Sequence, residues 1–351
     1  MSSEQIQVGG CSVGPRMRPF VIAEMSGNHN GDLGRALAIV DMVADSGAQA
    51  IKLQTYRADT ITIDADGLQF RITDGHELWA GANLYKLYDE AHTPWEWHEP
   101  IFMRARERGL EAFSSAFDPT AVDLLESLDV PAYKVASLEI GDIPLLRRMA
   151  ETGKPIIIST GAANASDIDL AIRTIRATGN ESVIVLGCTS SYPASPVETS
   201  LRALPLIRDT WNVMTGLSDH TMGVGVSIAA VAMGACVLEK HVTLARADGG
   251  VDSAFSLEPD ELRSLVVESE RAWQAMQSCR IGPAQSEGES LRLRRSLYVV
   301  QDVKAGDAVS QTNVRSIRPT GGLEPKHLDD IVGLHFQKDA KRGTPLTWDL
   351  L

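Results

Sequence analysis

Eight short β-branched runs, most of them followed by a stretch of helical periodicity, constrain this chain more than any other feature of its sequence. The runs are Phe20–Met25, Ala50–Tyr56, Glu111–Phe117, Ala132–Ser137, Pro155–Thr160, Val183–Thr189, Asn212–His220 and Val237–Thr243. Helical patterns lie between most of them, among them Leu33–Ser46, Trp97–Arg108, Ala121–Ser127, Asp167–Ala177 and Gly225–Met233. Strand and helix in alternation predict a parallel sheet covered by helices, and eight repeats predict a closed (β/α)8 TIM barrel. An open doubly wound sheet is the main rival, but no GxGxxG follows the first run. A long insertion, residues 57–94, follows the second.

The barrel is expected to close with a helix over Pro259–Ser278, giving a first domain of residues 1–281. The polar stretch after it, 282–293, reads as a linker. Residues 294–351 change character, with strand-like runs at Ser296–Val300 and Val314–Ile317 and turn signals at 304–307 and 341–344. A module this small has a thin core and is expected to dock on a barrel, its own or a partner's. A net charge of −13 disfavours nucleic acid as a partner. Cys11, Cys188, Cys236 and Cys279 are scattered, without a CxxC pair, so neither a disulfide framework nor a thiolate zinc site is expected. The N-terminal segment has no apolar signal core, and the most apolar stretch, 226–238, is too short to span a bilayer; both point to the cytoplasm and away from a membrane.

A barrel keeps its chemistry at the C-terminal ends of its strands. There the apolar runs turn polar: Glu24; Lys52 and Gln54; Ser114 and Ser115; Lys134, Ser137 and Glu139; Ser159 and Thr160; Thr189, Ser190 and Tyr192; Ser218, Asp219 and His220; Glu239, Lys240 and His241. His220 and His241 end consecutive strands, about 4.8 Å apart, so both imidazoles would reach one ion. Two histidines without cysteine suit an open site for Mn²⁺ or a similar divalent ion; satisfied core histidines are the alternative. Lys52 and Lys134 sit inside apolar strands, where an ammonium needs an anion or a polar cavity. They would hold a phosphate or carboxylate, with Ser115, Ser137, Ser159, Ser190 and Ser218 as neutral donors. A structural pair, such as Lys134 with Glu139, and a Schiff-base lysine are the other readings. Glu24 reads as a general base, a hydroxyl acceptor or a salt-bridge partner of Lys52.

These segments resemble the sialic acid synthase family, which joins phosphoenolpyruvate to acetamido-sugars. The resemblance runs from Phe20 to Leu351 and rests on an ordered set: Ile22-Ala23-Glu24, Asn28-His29-Asn30-Gly31, Ile51-Lys52-Leu53-Gln54, Tyr133-Lys134-Val135-Ala136-Ser137, Ser159-Thr160-Gly161, Tyr192-Pro193, Leu217-Ser218-Asp219-His220-Thr221 and Glu239-Lys240-His241. The tail resembles the family's antifreeze-like (SAF, β-clip) domain, with Ile317-Arg318-Pro319 matching the segment whose arginine enters a partner's active site. The resemblance implies a domain-swapped homodimer. It implies His220 and His241 as ligands of Mn²⁺, or of Mg²⁺ or Co²⁺, and Glu24 as the catalytic glutamate. It places Lys52, Ser115, Lys134, Ser137, Ser159, Ser190 and Ser218 on phosphoenolpyruvate, and Gln54, Glu139, Tyr192, Asp252 and Arg318 on the sugar. Ser190 stands where the family usually has Asn, and Ser115 where it has Thr.

The loop after the eighth run reads Gly249-Gly250-Val251-Asp252-Ser253-Ala254-Phe255-Ser256. Sialic and legionaminic acid synthases typically show Gly-Pro-Asp-His there. The Asp-Ser-Ala-Phe-Ser run, like Ser137 to Pro144, is similar to the pseudaminic acid branch. The implied sugar is 2,4-diacetamido-2,4,6-trideoxy-altrose, with Phe255 against its 6-methyl group. A sibling synthase, a Schiff-base aldolase and a non-catalytic sugar-binding barrel are the rival readings.

Overall fold

Eight parallel strands close on themselves in the computed structural model, which describes residues 5–72 and 81–351. A hairpin, β1 (Ile6–Val8) and β2 (Cys11–Val13), comes first. The barrel strands are β3 (Phe20–Glu24), β4 (Ala50–Thr55), β5 (Glu111–Ala116), β6 (Tyr133–Val135), β7 (Ile156–Ser159), β8 (Val183–Cys188), β9 (Met214–Ser218) and β10 (Val237–His241). They pair in the order β10-β3-β4-β5-β6-β7-β8-β9. Around them lie α1 (Leu33–Ser46), α2 (Ala58–Ile61), α3 (Leu84–Ala91), α4 (His98–Glu107), α5 (Pro119–Ser127), α6 (Ile143–Ala150), α7 (Ala165–Arg176), α8 (Ala203–Trp211), α9 (Gly225–Ala232) and α10 (Pro259–Met276). Part of the 57–94 insertion, residues 73–80, lies outside the described residues.

Local chemistry sets these boundaries. Asp32 caps α1 by accepting from the Arg35 amide, and Gly47, at φ +84, ends it. Asn164 and Asp167 form a capping box on α7. The strands are buried on both faces, as parallel barrel strands must be, which is why Ile156-Ile157-Ile158 reads as an unbroken apolar run. Two helices that periodicity does not single out, α6 and α8, carry Pro144 and Pro205 in their first turns. Proline reads as a breaker, yet the first helical turn tolerates it, because those amides have no intrahelical acceptor. The fourth run ends early: the strand stops at Val135, and Ser137 opens a 3₁₀ turn over Ser137–Gly141. The seventh begins late, because Asn212 at φ +50 forms the left-handed cap of α8.

Register aligns the chemistry. His241 pairs with Glu24, and Glu24 with Lys52, across β10, β3 and β4. Ser115 pairs with Lys134, and Glu239 with Ser218. The loop after β3 is tied to the loop after β10. Asn28 Nδ2 donates to Val242 O at 2.8 Å and Ser256 Oγ at 2.9 Å, and Asn30 Nδ2 donates to Gly249 O at 3.1 Å. The β1–β2 hairpin packs Ile6, Val8 and Val13 into the barrel core, and its Gly10 amide donates to Glu111 at the start of β5.

Two histidines outside the barrel mouth give the fold a pH dependence. His29 and His98 are 1% and 0% exposed. His98 Nδ1 lies 3.2 Å from Pro94 O, and its Nε2 lies 2.8 Å from the Thr55 hydroxyl. His29 Nδ1 accepts from the Gly31 amide, and Nε2 donates to Thr93. Burial pushes each ring down to about 4, from an ordinary 6.5. Both are therefore neutral in the fold, while the unfolded chain takes up protons first. Stability is whole above about pH 7 and is lost as pH falls from 6.5 towards 4, at roughly 2 kcal/mol per ring by pH 5. Urea midpoints at pH 7 and pH 5 measure this. His98→Gln, which keeps a donor and an acceptor, is expected to remove about half of the histidine-linked loss.

The chain divides into two compact units, Met1–Ser278 and Cys279–Leu351. The stretch 282–293, read as a linker, contains a 3₁₀ turn, Gln285–Glu287, and a short helix, α11 (Gly288–Arg292). The second unit pairs β11 (Ser296–Val299) antiparallel with β12 (Val314–Ile317) and adds α12 (Leu328–Ile331). Its own core is Leu297, Val299, Val303, Val309, Val314, Ile331, Phe336, Ala340, Leu346 and Leu350. No helix of the described residues is long and apolar enough to cross a membrane.

Candidate active site

The C-terminal mouth of the barrel gathers two ammoniums, two carboxylates and two imidazoles. Lys52 Nζ lies 2.5 Å from Glu24 Oε2 and 3.8 Å from Glu239 Oε1, and it donates to Ser115 Oγ at 3.1 Å. Lys134 Nζ lies 3.7 Å from the same Glu239 oxygen and donates to Ser159 Oγ at 2.7 Å. Ser218 Oγ donates to Glu239 Oε1 at 3.1 Å, and Gln54 Nε2 to Glu24 Oε1 at 2.9 Å. All four charged groups are buried. The expected Glu24–Lys52 contact is present, whereas Lys134 takes Glu239 rather than Glu139 as its carboxylate neighbour.

Environment sets the protonation of each group. Burial raises the Glu24 carboxyl, against the opposing charge of Lys52. Burial would also raise Glu239, but Lys134 and Lys52 outweigh it and hold the carboxyl down. Burial works to lower Lys52 as well, yet the charges of Glu239 and Glu24 keep it raised, so it stays an ammonium. Lys134 is lowered, chiefly by burial. Glu139, on the turn after β6, is pushed up to about 7 by burial.

His220 and His241 meet with ring centroids 5.4 Å apart. His220 Nδ1 faces the Thr189 carbonyl at 2.9 Å. A carbonyl only accepts, so Nδ1 carries a proton; burial lowers this ring, but the hydrogen bond and charge of Cys188 outweigh it and raise its pKa. Burial, then the charge of His220, holds His241 well below the usual imidazole range, so this ring is neutral. Tyr192 stacks 4.3 Å from His220, and Phe255 lies 5.1 Å from His241 and 5.4 Å from Tyr192. A divalent ion fits this donor set: two imidazoles beside Glu239 Oε2, which has no hydrogen-bond partner among the described residues. Among the described residues no group of three or more His, Cys, Asp and Glu is placed to enclose a metal, so the protein offers an open site and not a closed cage.

The remaining predicted residues divide into two groups. Ser137 Oγ accepts from the Gly161 amide at 3.1 Å and lies 3.5 Å from Cys188 Sγ, which is 3.9 Å from Ser190 Oγ and from His220 Nδ1. The Cys188 thiol is pulled down to about 7; burial raises it, but the hydrogen bond and charge of His220 outweigh that. Asp252 lies beside His241, and Ser26 donates a hydrogen bond to it. Arg318 belongs to the second unit, where it follows β12 and lies at the surface. Glu239 reads in the sequence as a polar strand end without a role, although it centres the lysine pair. A signal for it exists: two residues before His241, it shares that strand's inward face.

Comparison with known proteins identifies the family. Residues 39–280 match the NeuB family and residues 294–351 the SAF domain. The chain is 37% identical to the pseudaminic acid synthase of Campylobacter jejuni over 341 residues, which covers 97% of this chain and 98% of that protein. It is 38% identical to the pseudaminic acid synthase of Helicobacter pylori, covering 94% and 97%. The crystal structure of an N-acetylneuraminic acid synthetase from Leptospira borgpetersenii, in complex with citrate, superposes with a TM-score of 0.72 at 31% identity, covering 82% of this chain and 95% of that one. With a closed eightfold barrel, a C-terminal SAF domain and relatives matched over nearly their whole length, this chain belongs to the NeuB family and is an enzyme, a carbon–carbon bond-forming transferase.

Proposed function

We propose that the chain condenses phosphoenolpyruvate with 2,4-diacetamido-2,4,6-trideoxy-altrose to give pseudaminic acid and phosphate, with a divalent ion, Mn²⁺ foremost, at His220 and His241. The observation that carries this reading is the pair of buried ammoniums, Lys52 and Lys134, set with Ser115 and Ser159 beside two imidazoles at one barrel mouth. The names of the 37–38% identical relatives and the Asp252–Ser256 loop support the choice of sugar. Charge supports the ion. Lys52 and Lys134 already face Glu24 and Glu239, so an incoming phosphate and carboxylate need further positive charge.

The two lysines and the serine hydroxyls fix phosphoenolpyruvate so that its C3 faces the open-chain aldehyde. A bound divalent ion supplies Lewis-acid polarisation of that aldehyde. C3 forms the new bond to the aldehyde carbon, and water adds to the positive charge left at C2. The C2–O bond of the resulting hemiketal phosphate then breaks and phosphate leaves. Glu24, with its carboxyl raised, takes the proton of that water while Gln54 holds its other oxygen. Phe255 is 2% exposed and packs on Tyr192 and His241, so it shapes the wall that Tyr192 offers to the sugar's methyl group. A Schiff base on Lys52 is disfavoured, because that amine is held protonated against Glu24.

The charge distribution supports a homodimer with crossed tails. The second unit has 11 Lys and Arg against 9 Asp and Glu, net +2, while the first has 22 against 37, net −15. Leu138, Val197 and Met222, on loops after β6, β8 and β9, are more than half exposed around the mouth. A partner's tail would cover them and bring Arg318 to the sugar.

Incubation with phosphoenolpyruvate, Mn²⁺ and each candidate acetamido-sugar, with phosphate release as the readout, tests the reading. The altrose derivative is expected to turn over fastest. A faster mannosamine substrate would move the chain to a sibling activity, and borohydride trapping of pyruvate on Lys134 would replace the mechanism. Gly161→Ala probes the anion pocket separately. A Cβ there would stand 2.0 Å from Ser190 Oγ and 2.7 Å from Ser137 Oγ, so both hydroxyls must move. The KM for phosphoenolpyruvate is expected to rise about tenfold, the weight of one good hydrogen bond, with kcat changed much less.

A further inference from the structure

His241 has a partner that family resemblance assigns elsewhere. Its Nδ1 is fully buried and makes no hydrogen bond among the described residues. Asp252 Oδ2 is 3.5 Å from that nitrogen. Asp252 is itself buried, 7% exposed, and among the described residues the one donor to its side chain is the hydroxyl of Ser26, on the loop after β3. A carboxylate in that position needs a second donor, because one hydroxyl does not compensate its desolvation. The imidazole N–H is the group that faces it. Ser26 holds φ +48, a left-handed conformation uncommon for serine, and from there delivers its hydroxyl to Asp252.

We infer that Asp252 is a positioning residue for His241 and not a sugar contact: it receives the Nδ1 proton, fixes the ring's tautomer and orientation, and so aims the Nε2 lone pair at the divalent ion. His220 is set in the same tautomer by a different device, the Thr189 carbonyl at 2.9 Å. The two rings thus present the same nitrogen, one oriented by backbone and one by a carboxylate. Phe255, 5.1 Å from the His241 ring and on the same loop as Asp252, keeps that ring from swinging away. The loop whose sequence reads as a substrate-type signature therefore serves the histidine through Asp252. Ser26 and the clasp of Asn28 and Asn30 anchor it across the seam between β10 and β3.

This inference rests on the metal reading of His220 and His241, and the experiment separates the two. Mn²⁺ is titrated into chelator-treated protein without sugar, and the free ion is followed by its paramagnetic resonance signal. Wild type is expected to bind. Asp252→Asn is expected to bind 10- to 100-fold more weakly, the usual loss when an outer partner of a metal-bound histidine is removed. Ser26→Ala is expected to weaken binding several-fold, and neither variant to alter phosphoenolpyruvate affinity measured calorimetrically in metal-free protein. Wild-type Mn²⁺ affinity in both variants, with only the sugar KM raised, overturns the inference and returns Asp252 to the sugar. If Asp252→Asn fails to fold, Ser26→Ala decides alone, and unchanged Mn²⁺ affinity in it is the overturning result. Wild type that binds no Mn²⁺ removes the metal reading and this inference with it; wild type that binds, with variants that bind equally, removes this inference only.

Discussion

His220→Ala and His241→Ala are each expected to lose the divalent ion and to lower turnover by at least about a thousandfold, with the barrel still folded. The magnitude follows from what the rings can do. Two imidazoles are the nitrogen donors at this mouth, and one alone is a weak ligand for a labile ion. Loss of Lewis-acid assistance to a carbonyl removes several kcal/mol of transition-state stabilisation, and about 1.4 kcal/mol is a factor of ten. The cost to the fold is much smaller. His220→Ala gives up one bond to the Thr189 carbonyl and a stacking contact with Tyr192, about 1–2 kcal/mol together. The register of β9 with β10 and of β10 with β3 involves backbone groups that neither change touches. Metal content, thermal midpoint and phosphate release, measured on one preparation, check this. Chelator-treated wild type should fall to the variants' rate and recover with Mn²⁺. Either variant working at the wild-type rate in chelator would show that the histidines are packed core residues.

The barrel was legible because its signal is repeated eight times, and each β-branched run is buried on both faces. So was the convergence of Glu24, Lys52, Lys134, His220 and His241, since strand ends in one barrel share one mouth. Pairing was not legible. Lys134 lies nearer in sequence to Glu139, but the inward faces of β6 and β10 meet across the barrel, so Glu239 is its neighbour. Asn28 and Asn30 stand in one of the motifs that carry the family resemblance. Their side chains tie the first strand's loop to the last strand's loop, an interaction across more than two hundred residues that no local pattern encodes. The β1–β2 hairpin escapes a sequence reading because each strand is three residues long, too short for alternation to show. Asp252 was visible as a residue, but its orientation towards His241 depends on the 3₁₀ turn Ser253–Phe255 and on Ser26 from another loop.

Arg318 lies in the second unit, and the proposal of crossed tails makes a quantitative prediction. An Arg318→Ala chain and a His220→Ala chain, each nearly inactive alone, are expected to recover activity when their dimers exchange. Arg318 lies at the surface of its own unit, where a lone guanidinium contributes little to stability. Held over a sugar amide, its planar fork of donors would position the substrate, and its loss would slow turnover without unfolding either unit. If the tail crosses, one site of the mixed dimer combines the Arg318→Ala tail with the His220→Ala barrel and carries both defects. The other combines an intact barrel with an intact tail. Site counting on a two-fold assembly then gives about half the wild-type activity per mixed dimer. If each tail serves its own barrel, both sites of the mixed dimer keep one defect and activity stays at the level of the parents. Exchange is verified independently by isotopic mass labels on the two chains, so a null result after proven exchange would place Arg318 in its own subunit's site or outside any site.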